Sequence, residues 1–162
     1  MNNQTNITTT MIMVMSLDGI ISQNLYQDSF EWTSSEDKDH FLSFIKNKMN
    51  VIMGYTTFKC INKKPYNGVK HFVLTGNKSL HHKKDDNQIE YLSGTPQDII
   101  KHLYKKGIRE VVLLGGSYTN TQFLASGLVD YIYLTIEPKI FGQGIRFAVE
   151  QLNVDLELLE SK

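Results

Sequence analysis

Short apolar runs separated by helix-forming stretches constrain this chain more than any other feature. "TMIMVM" (10–15), "NVIM" (50–53), "KHFVLT" (70–75) and "EVVLL" (110–114) are each too short to be a helix and too continuous to alternate. Such runs read as strands buried on both faces. Between them lie helical patterns. Residues 34–49 put Phe41, Phe44, Ile45 and Met49 on one face, residues 55–61 form a shorter segment, and 116–126 form another. The helix after the weak strand "QIEYL" (88–92) is punctuated at both ends. Thr95 caps it, Pro96 suits its first turn, Ile99, Ile100 and Leu103 make its apolar face, and Lys105, Lys106 and Gly107 close it. Strands alternating with helices predict a mostly parallel sheet with crossovers on both faces. "YIYLTIE" (131–137) and the alternating "DLELLE" near the end have no helix between them, so an antiparallel C-terminal edge is expected.

The 162 residues suffice for one domain with a core, read as a flexible tail over 1–9 and a single domain over 10–162. Lysine plus arginine and aspartate plus glutamate number 17 each, so no basic surface for nucleic acid is expected. No apolar run approaches the roughly 18 residues of a membrane span, and "MNNQTNITTT" lacks the charged and apolar regions of a signal peptide. Cys60 is the single cysteine, which excludes an intrachain disulfide and favours a reducing, cytoplasmic setting. Cys60 reads as a small core residue rather than a catalytic thiol. His81 and His82 fall in the polar stretch 75–88, a surface loop by composition, and are not expected to hold a metal.

Four junctions carry polar residues that the core does not explain. In "LLGGSYTNTQFL", Gly115 and Gly116 end a buried strand and Ser117 and Thr119 open a helix. Backbone N–H groups there suit an anion, while a tight turn is the plainer alternative. "IMGYTTF" repeats the arrangement with Gly54, Thr56 and Thr57, and two such junctions suit the two ends of one phosphate-bearing ligand. "SLDGII" places Asp18 and Gly19 after the first strand, either as a turn or as part of the crevice. In "EWTSSEDKDHF", Ser34 and Asp37 fit a capping pattern, and Asp37 beside Trp32 equally suits a carboxylate that passes a proton.

In this order the four segments resemble the dihydrofolate reductase superfold, from about Thr10 to Phe147. Trp32, Asp37 and Phe41 match the W-x4-D-x3-F of its active-site helix. "VIMGYTTF" resembles its "IMGRxTW" cofactor segment, and "YLT", ending at Thr135, resembles the strand whose threonine supports the acid. "SLDGII" and "GLVDYIYLTIEPKIFGQGIRF" are more similar to a sister group, the reductase domain of riboflavin-biosynthesis deaminase/reductase proteins. The resemblance implies a three-layer α/β fold and NADPH as hydride donor. It implies cofactor contacts at Asp18, Gly19, Gly54, Thr56, Thr57, Thr75, Gly115, Gly116, Ser117 and Thr119, with Lys78 for the 2′-phosphate. Trp32, Asp37 and Phe41 would meet a pterin- or pyrimidine-like heterocycle, with Asp37 and Thr135 catalytic and no metal. It further implies a homodimer using edge strands near the C-terminus.

The chain departs from the pattern at four places, one of them Tyr118 and Asn120, which replace familiar positions in the cofactor helix. Tyr55 stands for the arginine of "GRxT", Val69 for the arginine that holds the folate glutamate, and Lys38 is the one cation where riboflavin-type enzymes carry arginines. Three alternatives therefore accompany the general reductase reading. They are a riboflavin-pathway ribosylaminopyrimidine phosphate reductase, a true dihydrofolate reductase, and a nucleotide-binding module without catalysis.

Overall fold

The structure, a computed structural model, describes residues 7–80 and 87–162. His81, His82 and most of the expected tail lie outside the described residues. Strands β1 (Thr8–Ser16), β3 (Asn50–Gly54), β4 (Lys70–Leu74), β5 (Ile89–Leu92), β6 (Glu110–Leu113) and β7 (Tyr131–Glu137) form a six-stranded sheet in the order β5-β4-β3-β6-β1-β7. Every pairing in it is parallel. Strand β1 starts at Thr8, and Ile7 and Thr9 are buried, so the sheet claims residues expected in the tail.

The apolar runs are continuous because both faces are covered. Successive strand residues point to opposite sides. Met11, Ile52, Phe72 and Leu113 join one core with Ile99, Ile100, Leu103, Phe123 and Leu124 of helices α3 (Pro96–Lys105) and α4 (Ser117–Ala125). Ile12, Val51, Met53, Val73 and Val112 join the other with Phe41, Ile45 and Phe58 of α1 (Ser35–Lys48) and α2 (Tyr55–Cys60). Fully burying one such side chain contributes about 1.5–3 kcal/mol, so the two layers together hold the sheet between the helices. Helix α3 has its capping box, with Thr95 accepting from the Asp98 N–H and Asp98 accepting from the Thr95 N–H. Helix α1 ends one residue early. Met49 adopts the left-handed conformation (φ 64°) and is exposed instead of joining the apolar face.

The expected antiparallel C-terminal pairing is present, but not at the edge of the main sheet. Strand β7 pairs parallel to β1, from Thr10↔Tyr131 to Ser16↔Glu137. Antiparallel pairing occurs in a separate two-stranded sheet of β2 (Ile20–Ser22) and β8 (Ile145–Arg146). "DLELLE" is not a strand. Its alternation finds no partner edge, and Leu156, Leu158 and Leu159 stay exposed. The glycines of "P-x3-G-x-G" have a local reason. A Cβ on Gly144 would lie 2.5 Å from both Ile20 Cγ2 and the Ser22 carbonyl, so only glycine lets β8 approach β2 this closely. No helix among the described residues is long and apolar enough to cross a membrane.

Candidate active site

The strand order reverses between β3 and β6, and ligands of open parallel sheets bind beyond the carboxyl ends of the strands at such a point. A cleft of about 1320 Å³ opens there, floored by Met13, Met53, Gly54 and Leu114. Pockets for one small molecule measure roughly 300–1,000 Å³, so the cleft has room for a large ligand or for two smaller ones.

Two glycine junctions interlock on its floor. The Gly54 N–H donates to the Gly115 carbonyl at 2.8 Å. A Cβ on Gly54 would stand 2.9 Å from Thr119 Oγ1, and one on Gly116 would stand 3.1 Å from Thr57 Oγ1. Each glycine thus admits the threonine of the other junction's helix. Gly115 and Gly116 are joined by a cis peptide. Gly116 is the N-cap of α4 and has no side chain to cap the helix. The first intrahelical bond runs from the Asn120 N–H to the Gly116 carbonyl, so the N–H groups of Ser117, Tyr118 and Thr119 have no acceptor among the described residues. This is a cradle an anionic group fits: open donors, no Cβ in the way, and the positive end of a helix.

The hydroxyls around this cradle are divided. Ser117 Oγ donates to the Arg146 carbonyl, Thr121 Oγ1 accepts from the Val149 N–H at 3.0 Å, and Asn120 Nδ2 donates to the Phe147 carbonyl at 3.0 Å. Ser117 lines the cleft, and its hydroxyl hydrogen ties the C-terminal segment to α4. Thr56, Thr57, Thr75 and Thr119 line the cleft. Asp18, Gly19 and Lys78 are not part of its lining. The Asp18 carboxylate accepts from Ser16 Oγ (2.6 Å) and from the N–H groups of Phe141 (3.2 Å) and Gly142 (2.7 Å). The Ser16 bond, with the two backbone donors, holds its pKa below the usual value despite some desolvation. "SLDG" and "P-x3-G-x-G" are thus two halves of one loop clasp.

The acid side turns on a residue that sequence reasoning missed. Ser34 caps α1 by accepting from the Asp37 N–H at 3.2 Å. The reciprocal half of a capping box would be the Ser34 N–H donating to Asp37. That N–H and the Ser34 hydroxyl instead both donate to Glu137 Oε1, each at 2.7 Å. Glu137 is buried at the end of β7, and the Ser34 hydroxyl chiefly lowers its pKa, assisted by the Ser34 N–H. The Asp37 carboxylate has no hydrogen-bond partner among the described residues and lines the cleft. The capping-pattern expectation accounts for the Asp37 backbone but not for its side chain. Thr135 is paired with Val14 in the sheet, and no hydrogen bond joins it to Asp37 among the described residues. The only signal for Glu137 was its place before Pro138 in "TIEPK".

Beside Asp37 stands an aromatic wall. Phe41 meets Phe30 edge-on at 5.6 Å and Tyr66 at 5.5 Å, and all three line the cleft. Burial pushes the Tyr66 phenol well up, so it is neutral at any ordinary pH. Trp32 is buried behind the wall against Phe141 and is absent from the cleft lining, so its expected substrate contact is not found. Its Nε1 and Thr33 Oγ1 are buried without partners among the described residues. Cys60 is not a core residue. It lies on the cleft wall with Sγ 3.2 Å from the Leu25 carbonyl, and burial raises its pKa. No group of residues among those described could hold a metal ion.

Several solved structures share this fold. A Shewanella sp. PV-4 protein, provisionally assigned to riboflavin biosynthesis, superposes with a TM-score of 0.81 at 21% identity, covering 96% of this chain and 92% of that one. Enterococcus faecalis dihydrofolate reductase, complexed with NADP(H), gives 0.71 at 18% identity over 88% of this chain and 77% of that one. A Thermotoga maritima diaminohydroxyphosphoribosylaminopyrimidine deaminase/5-amino-6-(5-phosphoribosylamino)uracil reductase gives 0.71 at 17% identity, and this chain covers 93% of itself but about half, 51%, of that bifunctional chain. The fold is therefore dihydrofolate reductase-like. Among curated proteins, none matches the chain significantly in sequence. The family model for the RibD C-terminal domain matches residues 8–162, nearly the whole described chain, and the chain belongs to that family.

Proposed function

We propose that this protein is a nicotinamide-dependent reductase in which NADPH lies across the two glycine junctions and a pyrimidine-type heterocycle stands against Phe41 and Tyr66. One observation carries the reading: Glu137 takes over the Ser34 N–H, which leaves the Asp37 carboxylate without a structural task in an aromatic-walled cleft. When bound, the cofactor supplies the hydride. The open N–H groups at the start of α4 would hold its pyrophosphate, with Thr57 and Thr119 flanking it. Asp37 would hold the proton that a reduced ring or side-chain nitrogen takes up, and Phe41 would orient the ring edge toward it. The pyrimidine class follows the family and the Thermotoga maritima enzyme. Val69, buried at the end of the loop before β4, supplies no cation for a folate carboxylate.

The test is a turnover assay with NADPH and ribosylaminopyrimidine or pterin substrates on wild type and Asp37→Asn. Asparagine can still occupy the first helical turn, so the fold should persist. Turnover should fall by roughly 10²-fold, the scale of a positioned acid, and less at low pH. Equal rates from about pH 5 to 9 would remove the acid role. NADPH binding without turnover on any such substrate would leave the nucleotide-binding module as the reading. The outer edge of β7 exposes Tyr131, Tyr133, Leu134 and Ile136, which supports the homodimer expected from the resemblance. A monomer mass by light scattering at tens of micromolar would contradict that dimer.

A further inference from the structure

The two ends of the cleft differ in charge. At one end lie the open N–H groups of α4 and Arg146 of β8, the one cation among the described residues that line the cleft. The Arg146 carbonyl accepts from Ser117 Oγ, which sets that residue beside the same helix start. Asp98 also lines the cleft, but its carboxylate is turned back onto the Thr95 hydroxyl and N–H at the cap of α3. The aromatic wall has the reverse character. Asp28 and Asp37 line the cleft with Phe30, Phe41 and Tyr66. The Asp28 carboxylate caps the helical turn Ser29–Glu31 by accepting from the Phe30 N–H at 3.0 Å. Neither it nor Asp37 meets a cation among the described residues. Burial chiefly, and then the Asp28 charge, raises the Tyr66 pKa, so the field of Asp28 reaches the ring. The lysines of the region serve elsewhere. Lys38 is outside the cleft lining, and its charge helps lower the Glu137 pKa. Lys59 and Lys63 stand over the Tyr55 ring, also outside the lining.

We infer that the Asp28–Asp37 half of the cleft takes an uncharged heterocycle and excludes the same ring carrying a phosphate or carboxylate tail. This rests on the reading of Phe41 and Tyr66 as the substrate wall. Two carboxylates on an apolar wall repel an anionic group placed among them, and the low-dielectric surround extends that repulsion. A neutral aminopyrimidine or pterin meets no such cost, and its ring amino groups can donate to the carboxylates. The Thermotoga maritima enzyme is a reductase of a phosphoribosylamino-uracil. A phosphate is held best by charge-assisted donors, and among the described residues this wall supplies no cation. The substrate class is therefore the ring without its phosphate, as a free base or a nucleoside.

The test compares a ribosylaminopyrimidine with its 5′-phosphate, and pterin with pterin-6-carboxylate, by calorimetric binding and by turnover at saturating NADPH. Wild type should favour the uncharged member of each pair, in affinity and in kcat/KM, by about tenfold or more. Added salt should narrow the ratio. Asp28→Asn keeps a capping side chain. It should narrow the ratio by about three- to tenfold, chiefly by strengthening binding of the anionic compound. Glu36→Gln, which removes an exposed carboxylate outside the cleft lining, should leave the ratio as it was. Equal or better use of the phosphorylated pyrimidine by wild type would overturn the inference while the reductase reading stands. A preference that Asp28→Asn leaves unaltered would also overturn it, since shape and not charge would then exclude the tail. If NADPH binds and none of these compounds is bound or reduced, the reductase reading fails and the inference with it.

Discussion

At the end of β3 the chain turns through Gly54 into α2. One strand away, at the end of β6, it turns through Gly115 and Gly116 into α4. Both junctions put a glycine under the threonine of the other helix and hydroxyl residues in the first turn. Their side chains then diverge. In α4, Ser117, Asn120 and Thr121 are buried and bonded to residues 146–149, so these side chains fasten the helix into the body and leave a ligand its backbone and Thr119. In α2, a six-residue helix, Thr56 is exposed to the cleft, Thr57 half-buried, and two lysines crowd Tyr55. The comparison teaches that a hydroxyl-rich helix start is not by itself a binding surface. What matters is whether another segment has already taken the hydroxyls.

The largest expected effect tests the backbone half of this comparison. Gly116→Val places a branched side chain over the open N–H groups. NADPH affinity should fall by roughly 100-fold, about 2.7 kcal/mol, in a variant whose circular dichroism is unchanged. An unaltered titration would break the assignment of α4 as the anion cradle. The next effect tests the interlock. Gly54→Ala should cost about 1–3 kcal/mol through its 2.9 Å contact with Thr119 Oγ1. Gly54→Ala/Thr119→Ala should recover most of that, because the pair is in direct contact and its effects are not additive. Simple additivity in denaturant melts would mean the two junctions are not coupled.

A smaller pair of variants sharpens the contrast in hydroxyl use. Ser117→Ala should lower stability by about 1 kcal/mol, a few degrees in Tm, and leave the NADPH dissociation constant alone. Thr56→Ala should do the reverse, with stability held and affinity reduced a few-fold. If the two behave alike, the division between fastened and ligand-facing hydroxyls is wrong. The smallest effect is one of slope. The folded-state pKa of Glu137 is lowered by the Ser34 hydroxyl and N–H. Its stabilising share is therefore full above the unfolded value and lost as pH falls through the lower folded value. Glu137→Gln should flatten the acid limb of the stability curve relative to wild type, with no change of slope above neutrality. An identical acid slope in urea melts would show that this cap does not titrate with folding.

The layering is legible in the amino-acid pattern alone. Apolar runs without alternation require cover on both faces, and helical patterns between them supply it, so a parallel sheet between helices was legible from 10–15, 50–53, 70–75 and 110–114. The helix at 95–105 was legible almost to the residue because capping is local chemistry: Thr95, Pro96 and Asp98 act on the backbone beside them. The glycine junctions were legible for the same reason.

Partnerships across long separations emerge only once the chain is folded. Ser34 and Glu137 are 103 residues apart, and nothing in the pattern around Asp37 says that another carboxylate will take its place at the cap. Asp18 read as a crevice residue until the loop at 141–142 closed on it. Ser117 read as a phosphate donor until Arg146 arrived. "DLELLE" alternates as a strand does, but a strand needs an edge to bond to, and no local rule supplies one. Periodicity and caps are properties of a few consecutive residues. Which polar side chain is left free for chemistry depends on every other segment that folding brings within hydrogen-bond reach.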